Sequence, residues 1–226
     1  IIVVAMVFLP ELRVGGMQIF RSEGFDTMGK ILPRAAEIAQ RISVIYILLT
    51  LTCGAAYWVM GMSAFDAVMH AMTTVSTGGF SSHAASFATF KGPAEYVAVL
   101  FMLLASVPFV RFVQLIAGSA QPLLRDSQIR AYLATILIGV LALTLYRTAT
   151  QGGAVELSFR AALFNVTSII SGTGYSSANY EAWGAVSVVI FFFAGLVGGC
   201  AGSTSCSIKV FRYQLLFSSI ATQVRR

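Results

Sequence analysis

The sequence predicts an all-α integral membrane protein built from repeated units, each a span, a re-entrant half-helix with a loop, and a second span. Three observations carry this. Of 226 residues, 57% are hydrophobic and only 11% charged, where a soluble domain carries about 25% charged residues. The mean hydropathy is +0.81. And the polar stretch TTVSTGGFSS at residues 73–82 returns 95 residues later as TSIISGTGYSS at residues 167–177, each time between apolar segments.

The chain opens at residues 1–9 with IIVVAMVFL, which reads as the tail of a span, so the chain is expected to be part of a longer protein. Residues 42–60 form the first complete span, 19 residues without a charge, close to the roughly 20 that a bilayer core requires. Residues 96–117 form a second, interrupted by Pro108 and Arg111, and residues 131–146 a third. A fourth begins at residues 183–197, meets GGCAGSTSCS, and resumes as an apolar helix from Ile208.

Two shorter stretches, residues 63–75 and 158–170, lie between spans. A 13-residue helix is about 20 Å long, too short for a core of about 30 Å. Both begin with serine, Ser63 and Ser158, a good N-cap, and Asp66 adds a capping-box pattern to the first. With the 95-residue offset, Ser76 matches Ser171, Gly79 matches Gly174, Phe80 faces Tyr175, and Ser81 and Ser82 match Ser176 and Ser177. Non-helical backbone at membrane depth is tolerated only inside protein or along a water-filled cavity. A half-helix returning as a glycine-bearing loop aims carbonyl oxygens into such a cavity. Such carbonyls replace a cation's hydration shell, and the half-helix C-terminus also favours a cation.

Basic residues set the expected orientation. Arg13, Arg21, Lys30, Arg34 and Arg41 share one loop, Arg125 and Arg130 the next on that side, and Arg225 and Arg226 end the chain. Positive loops face the cytoplasm, so the net charge of +6 reads as topology rather than nucleic-acid binding. Asp66, Glu95, Glu156 and Glu181 then fall outside, either as a carboxylate-lined mouth that concentrates cations or as ordinary loop charge. Cys53, Cys200 and Cys206 lack metal-binding spacing and read as reduced thiols in apolar surroundings. His70 and His83 read as packing or rim residues. Arg111 reads either as a functional intramembrane charge or as a snorkelling one. Residues 198–207 fail as a phosphate loop and fit a broken helix. No acid, base or nucleophile constellation points to an enzyme, and no cofactor is expected.

STGGFS, SGTGYSS and GGCAGSTSCSIKVFR together resemble the pore loops and intramembrane loop of the Trk/Ktr/HKT potassium transporters, most nearly the bacterial TrkH type. The third motif has Ser205, Cys206 and Ser207 where many members have further glycines. The resemblance covers essentially all 226 residues. It implies four span–loop–span units around a pore, as in potassium channels, of which this chain holds the end of one with its cytosolic connector (residues 1–41), a second unit with its cytosolic loop (residues 42–130) and a third with a broken last helix (residues 131–226). The first and fourth filter loops are then absent. It implies potassium uptake through a filter of backbone carbonyls that bind K⁺ at Ser76, Thr77, Gly78, Gly79, Phe80, Ser171, Gly172, Thr173, Gly174 and Tyr175. It implies a gating loop of Gly198, Gly199, Cys200, Ala201, Gly202, Ser203, Thr204, Ser205, Cys206 and Ser207, with Lys209 just beyond. A homodimer in the lipid of the inner (plasma) membrane, with a cytosolic nucleotide-binding ring taking NAD or ATP, is implied as well. A secondary cation transporter with broken helices, coupled to H⁺ or Na⁺, remains the other reading.

Overall fold

A computed structural model describes residues 35–152 and 154–224 of the chain. The tail expected at residues 1–9, the basic residues Arg13, Arg21, Lys30 and Arg34, and the terminal Arg225 and Arg226 lie outside the described residues. All regular elements among those described are helical, apart from one isolated bridge between Val197 and Ile208.

The first span is α1, Ala35–Val59, whose apolar stretch covers the 21 residues Ala39–Val59. The first half-helix is α2, Ala64–Val75, capped as expected: the Asp66 N–H donates to Ser63 Oγ at 3.1 Å, and Ser63 Oγ donates to Asp66 Oδ2 at 2.7 Å. A short 3₁₀ turn, Ser86–Thr89, follows the first loop. The span expected at residues 96–117 is not one helix. Helix α3, Pro93–Ala105, stops, and α4, Phe109–Ile116, leaves at 89°. Pro108 has no N–H to continue the ladder and disfavours helix in the residue before it. After α5, Gln121–Arg125, the long span α6 runs Ser127–Gln151, capped by Asp126, which accepts the Gln128 N–H at 2.8 Å.

The second half-helix, α7, spans Val155–Ser171. It starts before Ser158, which is buried inside it and caps nothing. Glu156 in its first turn is the favourable charge there. A 3₁₀ turn, Tyr180–Trp183, leads to α8, Ala185–Leu196, and after the interruption α9 covers Val210–Val224. At 12 residues, α8 is about 18 Å long, so the interruption falls at membrane depth.

The two units meet where α7 packs against both its own span α6 and α3 of the unit before. An aromatic cluster fills the junction behind the loops: the Phe87 ring lies 4.9 Å from Phe164 and 5.3 Å from Tyr175 between centroids. Nearer the ends of α3 and α7, Arg160 Nε reaches Glu95 at 3.0 Å and its Nη1 reaches Glu156 at 3.2 Å. Two of the four carboxylates expected at a mouth are therefore neutralised within the unit junction. The outward faces stay apolar: Ile47, Leu51, Leu137, Leu145, Phe192 and Phe193 are all exposed, as lipid-facing residues are.

Candidate functional site

Each loop follows a half-helix and turns its N–H groups back onto it. In the first, the Thr77 N–H donates to the Thr74 carbonyl at 3.1 Å, and the Gly78 and Gly79 N–H groups share the Thr73 carbonyl at 2.8 and 3.4 Å. In the second, the Gly172 N–H donates to Ile169 at 3.0 Å, the Gly174 N–H to the Ser168 carbonyl at 3.1 Å, and the Thr173 N–H to Ser171 Oγ at 3.3 Å. Across a planar trans peptide the preceding carbonyl points the opposite way. The carbonyls of Thr77, Gly78, Gly172 and Thr173 are therefore aimed away from the half-helices, and among the described residues none of them accepts a hydrogen bond. Such groups require an external partner.

The repeat extends to backbone handedness. Thr77 and Gly79 have φ of +52° and +65°, and the residues 95 positions later, Gly172 and Gly174, have +76° and +82°. Two further matched pairs escaped the sequence reading. Thr73 Oγ1 lies 2.9 Å from the Phe80 carbonyl, and its counterpart Ser168 Oγ lies 2.7 Å from that of Tyr175. His70 Nδ1 lies 2.8 Å from the Asp66 carbonyl, and its counterpart Asn165 Nδ2 lies 2.7 Å from that of Ala161. Extending the 95-residue alignment upstream of the glycines would have exposed both.

The loops meet. An atom added at Gly79 in the place of a Cβ would sit 1.8 Å from the Thr173 oxygen. Tyr175 is only 1% exposed, and its hydroxyl donates to the His70 carbonyl at 3.1 Å beside Thr73 and Thr74. Its counterpart Phe80 is 75% exposed. His70 is buried, and an N–H at Nδ1 leaves Nε2 to accept from Ser81 Oγ at 2.9 Å. His83 is a rim residue, 3.2 Å from Asp66 Oδ1. Hydrogen bonds from Ser82, then Ser63, hold the Asp66 carboxyl below the usual carboxylate range. Among the described residues no group of His, Cys, Asp and Glu could hold a metal.

The interruption at residues 197–209 is closed at its neck by the Gly198 N–H donating to the Ile208 carbonyl at 2.9 Å. It docks into the α3–α4 break. The Cys200 N–H donates to Ser106 at 3.1 Å, the Thr204 N–H to Ala105 at 3.3 Å, and the Phe109 N–H to Gly202 at 3.0 Å. Two broken helices thus satisfy each other's free backbone groups. Its tip touches both loops: the Thr77 hydroxyl reaches the Thr204 carbonyl at 2.8 Å, and Cys206 lies against Gly172. Lys209 Nζ donates to the carbonyls of Ser203, at 3.4 Å, and Ser205. Cys53 and Cys200 are buried as expected, but Cys206 is exposed. The open position of Arg111 closes on an ion pair, Nη2 to Asp126 Oδ2 at 2.7 Å, beyond the bend rather than inside a straight span.

Residues 1–226 match the family model of TrkH, described as a cation transport protein. The chain is 42% identical over 227 residues to the Trk system potassium uptake protein TrkI of Halomonas elongata, covering 100% of this chain and 46% of that protein. It is 35% identical over 234 residues to the potassium uptake protein TrkH of Vibrio parahaemolyticus, covering 100% and 48%. The crystal structure of the potassium transporter TrkH from Vibrio parahaemolyticus matches with a TM-score of 0.83 at 30% identity, covering 100% of this chain and 46% of that one. The chain thus spans about half the length of the curated relatives it matches.

Proposed function

The chain belongs to the TrkH family of cation transport proteins, and on that premise we propose that it supplies two adjacent quarters of a pore for potassium uptake. One observation supports this above the others. Two loops at matched positions turn their N–H groups onto a half-helix and, among the described residues, leave carbonyls without partners facing away from it. Oxygens held this way replace the hydration shell of a cation without any change of covalent bonding. The C-termini of α2 and α7 each add about half an elementary negative charge nearby.

On this reading the filter comprises residues 76–80 and 171–175, and residues 198–207 with Lys209 form a gate at its deep end. Residues 42–130 and 131–226 are successive units, and residues 1–41 end a preceding unit and connect it. The protein lies in the inner (plasma) membrane with Arg125 and Arg130 on the cytoplasmic side. A homodimer and a cytosolic ring binding NAD or ATP complete this reading, with the family resemblance as their support.

The test is Gly79→Asp and Gly174→Asp in the full-length protein, expressed in cells lacking potassium uptake. Both should abolish growth at low K⁺ and, in liposomes, K⁺ flux. Wild-type growth with either variant refutes the filter assignment at that position.

A further inference from the structure

We propose that Thr204, in the intramembrane loop, is a positioning residue of the filter: it holds residues 75–77 in their coordinating shape, so that moving the loop also reshapes the filter. The inference rests on the filter reading above.

The contacts run both ways between residues 127 to 129 positions apart. The Thr204 hydroxyl proton faces the Val75 carbonyl at 3.0 Å and the Ala105 carbonyl at 3.1 Å. The Thr77 hydroxyl proton faces the Thr204 carbonyl at 2.8 Å and the Ser76 carbonyl at 2.7 Å. Thr204 itself is anchored through its N–H to Ala105. It therefore ties the end of α2 and the first filter loop to the end of α3.

Thr77 shows why a tie is required there. Its φ of +52° is left-handed, an outlier for a β-branched residue. Such a conformation persists only where the surroundings over-determine it. The matched position in the second loop is Gly172, with φ of +76°, where the conformation carries no side-chain penalty. There, among the described residues, the intramembrane loop meets the backbone by packing, with Cys206 Cβ 2.9 Å from the place of a Gly172 Cβ. The hydroxyl latch thus stands at the one of the two matched positions that is strained. If it opens, Thr77 is free to relax to ordinary φ, and the peptide whose carbonyl faces the ion path turns with it.

Thr204→Val removes the donor at nearly constant volume, Thr204→Ser keeps it, and Thr77→Val removes the partner hydroxyl. The readout is the K⁺ over Na⁺ influx ratio of folded full-length protein in liposomes, with Gly79→Ala in parallel. Thr204→Val and Thr77→Val should each lower the ratio roughly three- to tenfold, the size of one lost hydrogen bond. Thr204→Ser should retain it, and the double variant should fall short of the product of the two effects. A structural role alone would change the yield of folded protein and leave the ratio intact. An unchanged ratio in Thr204→Val overturns the proposal. If that variant does not fold, an unchanged ratio in Thr77→Val overturns it and a lowered one supports it. If Gly79→Ala also keeps wild-type influx and ratio, the filter reading itself falls. If Gly79→Ala fails while the threonine variants behave as wild type, only the role of Thr204 falls.

Discussion

Replacing Gly79 with alanine puts a methyl carbon 1.8 Å from the Thr173 carbonyl oxygen and 2.8 Å from its carbon. Contacts of a Cβ below 3.0 Å are essentially never seen, so the carbonyl would have to withdraw by more than an ångström. It has little room to do so, because Thr173 Oγ1 is held by Ser171 Oγ at 2.8 Å and its N–H by the same oxygen. The left-handed backbone adds roughly 1–2 kcal/mol for any residue with a Cβ. A misplacement of about 1 Å in a preorganised site costs on the order of 100-fold, so K⁺ influx should fall by about that factor. Gly78→Ala is the control: its φ is not in the left-handed region, and the nearest atom is the Ser76 hydroxyl at 3.2 Å, which rotates away. Influx measured in liposomes at equal folded protein should rank wild type close to Gly78→Ala and far above Gly79→Ala. Equal influx from Gly79→Ala and wild type would refute the idea that the two loops coordinate one ion path.

Three further outcomes follow from particular residues. Single cysteines at Ala85 and Ser119, both exposed, should label from opposite sides of the membrane, and labelling of both from one side would overturn the unit topology. Asp126→Ala removes the Arg111 pair and the cap of α6 together, which should destabilise the protein by about 3 kcal/mol and lower its melting temperature in detergent; Asp126→Asn, which keeps a capping oxygen, should recover about 1 kcal/mol of that. Of Cys53, Cys200 and Cys206, only Cys206 is exposed, so a methanethiosulfonate reagent should modify it alone among the three and lower influx, and Cys206→Ser should abolish that sensitivity.

The spans were legible because lipid tolerates so little else: a charge-free stretch such as residues 42–60 has one stable arrangement there. The half-helices were legible through repetition, since a single Gly-aromatic-Ser-Ser run reads as a turn and two in register do not. The bend at Pro108 was half legible. Proline marks the break, but the partners that make an 89° bend stable are the N–H and carbonyl groups of residues 200–204, nearly a hundred positions away. Ser158 misled because a capping residue signals a helix start only when the chain before it is not already helical, and α7 begins at Val155. The three glycines and four hydroxyl residues of residues 198–207 mark a segment that holds a regular helix poorly. Its hydroxyls do satisfy free backbone groups, but these belong to the neighbouring break and the end of α2 as well as to the loop itself. A deletion there is consequently expected to alter ion preference along with flux, which composition alone could not indicate.

Three bare features mark where further units would join. Tyr175 is buried against α2 of the unit before it, whereas its counterpart Phe80 is exposed. Arg160 and Phe164 of α7 contact the unit before, whereas their counterparts on α2, Phe65 and Met69, are exposed, and α2 also borders an open apolar groove of about 880 Å³ lined by Tyr46, Leu51, Trp58, Val68 and Met72. At the opposite edge, a Cβ at Gly174 would meet nothing within 4 Å, whereas one at Gly79 meets the next loop's carbonyl. One operation, the step from α2 to α7, accounts for all three. Applied backwards it brings a helix into the groove and a half-helix to Phe80. Applied forwards it brings a carbonyl to Gly174. On the proposed reading, a ring that closes under this step needs more than these two units, and the relatives compared are about twice the length of the chain. In such a ring Gly174→Ala meets the same obstruction as Gly79→Ala and should lose influx to a similar degree. If strain alone acts at Gly174, the loss should stop at roughly tenfold, from about 1–2 kcal/mol. A Gly174→Ala loss at that lower level beside a 100-fold loss at Gly79 would mean that no following loop closes the ring at this edge.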